Sequence, residues 1–235
     1  MRGIDVSHWQ GDIDWEAVKN DGIEFAIIKA GGSDAGFYKD SKFEANYAGA
    51  KAAGIAVGAY YFVGKGCVSA IDGRADAIRF MDIIAEKQFE MPVYMDNEAQ
   101  PASARAGITE ATIAFCDELE ANGYFAGVYG STYSGFVDRM DDSKLQGYTH
   151  WVAQYADSCK YPGTIGIWQY SSKGSVAGIS GNVDLDECYI DFPSVIKSKG
   201  FNGFAAETEE PEAPELTLED RVAALEARVA KLEGK

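Results

Sequence analysis

The chain has 235 residues, 46% of them hydrophobic, enough for a sizeable core and a length that suits one α/β barrel or two small domains. Its formal net charge is −16, made up of −11 as far as Phe204 and −5 beyond it, which disfavours binding nucleic acid through phosphates and adhesion to anionic membrane surfaces. No apolar run is long enough to span a bilayer, so membrane insertion is not expected.

Taken in chain order, the first strand is predicted over residues 3–7. It starts so early that no signal peptide precedes it, and the expectation is synthesis in the cytoplasm with export by another route. A second strand is predicted over 24–30. A helix over 40–53 follows, with Phe43, Tyr47 and Ala50 at helical spacing and Gly54 as its stop. After a third strand (55–63), a helix over 69–87 carries Ile71, Ala75, Ile78 and Met81. After a fourth (91–98), a helix over 109–122 carries Ile113, Cys116 and Leu119, and stops at Gly123. Strands alternating with helices imply parallel βαβ units. Beyond the fifth strand (124–131) the pattern changes. Strands are predicted over 150–155, 166–172 and 182–189, but the links between them, ADSCKYPGTI and KGSVAGISG, are poor material for crossover helices. The fold expected is an α/β, TIM-like barrel of eight strands whose second half has lost most of its helices and whose late strands run partly antiparallel.

The barrel is assigned to residues 1–204. Residues 205–216, AAETEEPEAPEL, have the acidic, proline-containing composition of a linker. In 217–235, Leu218, Val222, Leu225, Val229 and Leu232 repeat with spacings 4, 3, 4, 3, an a/d heptad stripe with Val at a and Leu at d. In a parallel dimer Arg221 would face Glu226 and Arg228 would face Glu233, so self-association through this segment is expected. The single solvated helix is the alternative. Cys67, Cys116, Cys159 and Cys188 show no zinc-ligand spacing. They read as buried free thiols, with a disulfide as the alternative, and neither a metal nor a cofactor is expected.

The fourth strand, MPVYMDNEAQ, ends in two carboxylates. Residues i and i+2 of a strand share a face, so Asp96 and Glu98 are expected to point together into one space at the C-terminal end of a barrel strand, where such barrels carry catalysis. Two like charges so close cannot both ionise freely, and one becomes a proton donor beside a carboxylate. Asp5 ends the first strand and Asp184 opens the last. If the last strand is antiparallel, both join Asp96 and Glu98 at one mouth. Asp186 and Glu187 read as solvated. Trp9, Tyr60, Tyr61, Phe62, Tyr129, Trp151, Trp168 and Tyr170 lie at or beside strand ends, and carboxylates ringed by aromatics suit a glycosidase cleft.

The residues Gly3-Ile4-Asp5-Val6-Ser7-His8-Trp9-Gln10-Gly11, with Ile13-Asp14-Trp15 after them, resemble the opening of glycoside hydrolase family 25, the lysozymes or N-acetylmuramidases. Phe25–Ala30 resembles that family's second strand, and Asp96-Asn97-Glu98 its DxE. Trp151-Val152-Ala153-Gln154-Tyr155, Ile167-Trp168-Gln169-Tyr170 and Val183-Asp184-Leu185 resemble its later strands. The resemblance spans about residues 1 to 200. One departure is Tyr60-Tyr61-Phe62, where the family often has Tyr-His-Phe. The resemblance implies eight strands with five helices, and cleavage of the β-1,4 bond between N-acetylmuramic acid and N-acetylglucosamine in peptidoglycan. It makes Glu98 the general acid and Asp96 the group that stabilises positive charge or positions the N-acetyl group, with Asp5 and Asp184 completing an acidic cleft. The contacts expected to hold sugar are Trp9, Tyr60, Tyr61, Tyr129, Trp151, Gln154, Trp168 and Tyr170. The source would be a phage endolysin, released with a holin, or a bacterial autolysin. Inverting, retaining and substrate-assisted routes stay open, with substrate assistance favoured by the adjacent Asp–Glu pair. The rival readings are a chitinase-like barrel, although Tyr94 interrupts the D-x-D-x-E run, and a non-catalytic wall-binding module.

Overall fold

A computed structural model describes residues 1–206. The expected heptad segment and all but the first two residues of the expected linker lie outside the described residues. The strands are β1 (Arg2–Val6), β2 (Phe25–Gly32), β3 (Tyr38–Lys39), β4 (Ala56–Phe62), β5 (Val93–Asp96), β6 (Ala126–Ser131), β7 (Thr149–Ala153), β8 (Ile167–Gly174) and β9 (Val183–Cys188). The helices are α1 (Trp15–Asn20), α2 (Phe43–Ala52), α3 (Ala70–Ile84), α4 (Arg105–Ala121) and α5 (Phe192–Lys199).

Eight strands close a barrel in the order β1-β9-β8-β7-β6-β5-β4-β2, with β1 pairing β2 to complete the ring. The two-residue β3 lies outside it, as a hairpin arm on the end of β2. All neighbours in the ring are parallel except β9, which runs antiparallel to both β1 and β8. The link from β8 to β9 is too short for a crossover, so the chain must turn back. This brings the start of β9 to the end of β1, and Asp184 stands opposite Asp5 in register.

Side chains alternate between two cores. Inside the barrel lie Phe25 and Ile27 of β2, Tyr60 of β4, Tyr94 of β5, Tyr129 of β6 and Trp151 of β7. Glycines make room for these rings. A Cβ at Gly3 would lie 2.3 Å from the Phe25 ring, and one at Gly127 would lie 2.4 Å from Tyr94. Outside the barrel, Val57, Ala59 and Tyr61 of β4 pack against the helix residues Phe43, Phe80 and Phe115.

Helix boundaries follow their caps. Ser69 accepts the Asp72 N–H and starts α3. The expected helix from residue 40 begins instead at Phe43, because the Asp40 carboxylate takes the backbone N–H of His8 and of Lys42 and the His8 ring. Helix α4 starts at Arg105, earlier than expected. Two short helices carry too few turns to show periodicity, but their caps are legible: Asp14 starts α1, and Asp191 with Pro193 starts α5.

Candidate active site

The C-terminal ends of the parallel strands form one mouth, and the start of β9 joins them. Asp96 is the last residue of β5 and is buried. Glu98 lies two residues past the strand end, so the strand alternation expected to align it with Asp96 does not extend to it. The chain leaves the sheet at Asn97, whose N–H reaches back to the Tyr129 carbonyl, and Glu98 is presented from the loop. Its side chain opens on solvent at the mouth, while protein walls enough of the carboxyl for burial to be the chief cause of its raised pKa. Arg139 and Lys29 pull that pKa back.

Asp96 is raised further, by burial first and then by the Glu98 charge, with Lys29 opposing. Its Oδ1 has no hydrogen-bond donor. The two carboxyls therefore titrate as a pair, and in the empty cleft desolvation favours the shared proton on the deeper Asp96. Asp5 is buried and accepts Gln169 Nε2–H at 2.7 Å; burial, then Asp186 and Asp184, raise it well above the usual carboxylate range. Asp184 is raised to about 6, by burial and then by Glu98. The four acids singled out in the sequence thus share one electrostatic environment.

The expected sugar contacts divide. Tyr129 and Gln154 line a cavity of about 460 Å³ beside Glu98, with Thr132, Tyr133, Arg139 and Tyr155. Trp9 is 80% exposed, tilted against the His8 ring just beyond β1. Tyr60 lies inside the barrel, edge-on to Trp151. Three further expected contacts are buried. Tyr61 is wholly buried on the helix side against Phe80 and Phe115, because strand alternation sends the neighbour of an inward Tyr60 outward. Trp151 is buried inside the barrel, its indole N–H on Asp186, beyond reach of a sugar. Trp168 is buried on the strand face opposite Gln169, its N–H on the Gln154 carbonyl. Tyr170 packs on Trp168 at 5.6 Å, where the register of β8 shifts. Asp186, expected in solvent, is wholly buried.

Sequence reading also passed over functional neighbours. Lys29 is buried, with Nζ 4.5 Å from the Phe62 ring centre; its signal was a single charge within the apolar run FAIIKA. Gln169 lies between Asp5 and the Tyr129 hydroxyl, and its signal was a polar residue between two aromatic ones in a strand. Arg139 gave no signal. It is held by the Gln100 and Ser134 carbonyls at the end of a short π-helix, Ser134–Arg139, which a 3.6-residue period does not report. Among the described residues no cluster of three or more His, Cys, Asp or Glu could hold a metal ion, and all four cysteines are free thiols.

A mostly parallel barrel that gathers desolvated carboxyls and aromatic rings at the C-terminal ends of its strands has the make-up of a barrel glycosidase. The chain belongs to the glycosyl hydrolases family 25, whose family model matches residues 4–179. It is 33% identical over 192 residues to the autolytic lysozyme of Clostridium acetobutylicum, an alignment covering 80% of this chain and 55% of that protein. It is 33% identical over 203 residues to lysozyme M1 of Streptomyces globisporus, covering 80% and 67%. The chain therefore spans little more than half the length of one curated relative and about two thirds of the other. Among solved structures it resembles the CTP1L endolysin, with a TM-score of 0.73 and 27% identity over 84% of this chain and 70% of that one. It also resembles the bacterial lysozyme of Streptomyces coelicolor, with a TM-score of 0.67 and 28% identity over 87% and 98%.

Proposed function

We propose that this chain is an N-acetylmuramidase that hydrolyses the β-1,4 bond between N-acetylmuramic acid and N-acetylglucosamine in bacterial peptidoglycan. The observation that carries the reading is the coupled pair Asp96 and Glu98, both raised by burial at the mouth of this family's barrel. An autolytic lysozyme and an endolysin among the similar proteins support a cell-wall substrate.

Glu98 is the general acid. In the empty cleft the shared proton rests on Asp96. A sugar lying over Glu98 removes its contact with water and raises it. An acetamido N–H donated to Asp96 stabilises that carboxylate. Both changes move the proton to Glu98, within reach of the leaving oxygen. Asp96, now anionic, holds the acetamido group for attack on the anomeric carbon or stabilises the charge that develops there. Asp5 and Asp184 complete the acidic wall, and Trp9, Tyr129 and Gln154 contact sugar. Release of reducing ends from purified peptidoglycan, and none from chitin, is the expected result. Equal release from both would point to a chitinase-like enzyme, and release from neither to a wall-binding module.

The organisation into a barrel (1–204), an acidic linker (205–216) and a heptad segment (217–235) is part of the same proposal. The heptad supports a parallel dimer, which would set two barrels on one wall and raise avidity. Sedimentation of the full chain against one ending at Phe204 tests it. A dimer reduced to a monomer is expected, and two monomers at micromolar concentration would reject it.

A further inference from the structure

Asp5 at the mouth and Asp186 beneath it form a second pair of acids, to which the proposed reaction gives no proton transfer. Asp186 of β9 is wholly buried. Its Oδ1 accepts the Trp151 indole N–H at 2.7 Å. Its Oδ2 has no donor, yet its side chain is within hydrogen-bonding reach of Asp5. The other Asp5 oxygen is already occupied by Gln169 Nε2–H. Two carboxylates in contact, both desolvated and both acceptors, repel strongly. A proton between them supplies the donor that the Asp186 oxygen lacks.

We propose that Asp5 and Asp186 share one proton and act as a positioning pair, in which Asp186 holds the negative charge on the barrel floor and Asp5 stands neutral at the mouth. Two consequences follow. Neutral Asp5 holds the Gln169 amide with its Oε1 turned to the Tyr129 and Tyr155 hydroxyls, at 3.0 and 3.1 Å, and both rings line the cavity beside Glu98. One negative charge is also kept away from an already crowded mouth.

The surroundings agree with this placement. Asp5 faces Asp184 and Asp186 on β9 and the hydroxyls of Tyr60, Tyr129 and Tyr155. Burial and its two acidic neighbours hold its proton on. Asp186 faces Asp5, Asp184, Trp151, Tyr94 and Cys188. Burial raises it to about 7, and the hydrogen bonds from Trp151 and Asp5 oppose that rise. Glu98 faces Asp96, Asp184, Lys29 and Arg139, and the same three tyrosines.

The effect on rate rests on Glu98 being the general acid; the shared proton does not. Asp186→Asn separates the two. Its carbonyl still accepts from Trp151 and its amide donates to Asp5, so Asp5 ionises and the charge moves from floor to mouth. The full-length variant is expected to keep its melting temperature near that of wild type. Above the Asp186 value of about 7, the infrared band of protonated carboxyls should lose the share of one proton and keep that of the Asp96–Glu98 pair, because Asp5 and the new amide together hold no acid proton. The alkaline limb of wall lysis should rise by roughly 0.5 pH unit, because the new charge at the mouth, among Asp184 and the tyrosines that Glu98 also faces, makes the Glu98 proton harder to lose. Asp5→Asn should lose the same share, and it carries the test if Asp186→Asn does not fold. An unchanged band in either folded variant overturns the shared proton. A reduced band with an unmoved limb overturns the role at the mouth, provided that Glu98→Gln is inactive. If Glu98→Gln remains active, the catalytic reading fails and the band alone judges the pair.

Discussion

The two halves of the barrel do different work. From β1 to β6 the outer faces are covered by α1 to α4, and the strands are apolar on both sides. From β7 to β9 no helix lies between consecutive strands. The covered half supplies Asp5, Asp96 and Glu98 at strand ends. The bare half supplies Gln169, Asp184 and Asp186, which meet those acids through hydrogen bonds or charge, and Trp151, which holds Asp186; Gln154 and Tyr155 after β7 wall the cavity together with the segment that follows β6. The helix-braced half holds Asp5 and Asp96 away from water, and a half freed of helices has loop length for shaping the cleft.

Substitutions can break this contrast. The largest expected effect is on stability in the covered half. Phe80 stacks on Phe115 and meets Tyr61 at a tilt, and Phe80→Ala should cost about 3–5 kcal/mol, read by denaturant unfolding, with activity lost only as the fold is lost. Asp96→Asn should do the opposite, lowering lysis by about 100-fold or more with little change in unfolding. It should also move the alkaline limb to lower pH, because Glu98 loses its negative neighbour; an unmoved limb would mean that the two carboxyls do not interact.

In the bare half, Trp151→Phe keeps an aromatic ring but loses the pyrrole part with the N–H that Asp186 accepts, and the lost donor alone should cost about 1–3 kcal/mol. Asp184 and Asp186 are raised to about 6 and about 7 in the fold. The folded protein therefore binds more protons than the unfolded chain between pH 4 and 7. Their contribution to stability is full below the unfolded value and is lost as pH rises through 6 and 7, so the melting temperature should increase from pH 8 to pH 5. The smallest effect is at Trp9. At 80% exposure, Trp9→Ala should change stability by no more than about 0.5 kcal/mol, while KM for wall fragments rises.

The same contrast decides what was legible in the sequence. In the covered half, short apolar runs locate the strands, which are buried on both faces, and helical spacing locates the three long helices, which bury one face. The loss of late helices is also legible, from glycine- and proline-containing links that are poor material for crossover helices. The second of them, between β8 and β9, turns the chain back, and with it comes the meeting of Asp5 with Asp184. Facing was harder. Tyr60 and Tyr61 look alike in sequence, and only the closed barrel turns one inward and the other onto Phe80. Asp186 looks solvated among Asp184, Glu187 and Cys188, because nothing local reveals that Trp151, far away in the chain, reaches it across the barrel. Arg139 ends a six-residue π-helix, too short and too wide for a helical period to be read.

The central claim is that Glu98 delivers the proton. The direct measurement is the rate of reducing-end release from purified peptidoglycan by the full chain carrying Glu98→Gln, alongside its melting temperature. The amide keeps the shape and removes the transferable proton, so the rate should fall by about 10²–10⁴-fold with the melting temperature unchanged. A folded Glu98→Gln enzyme that releases reducing ends at a rate close to wild type would contradict the account.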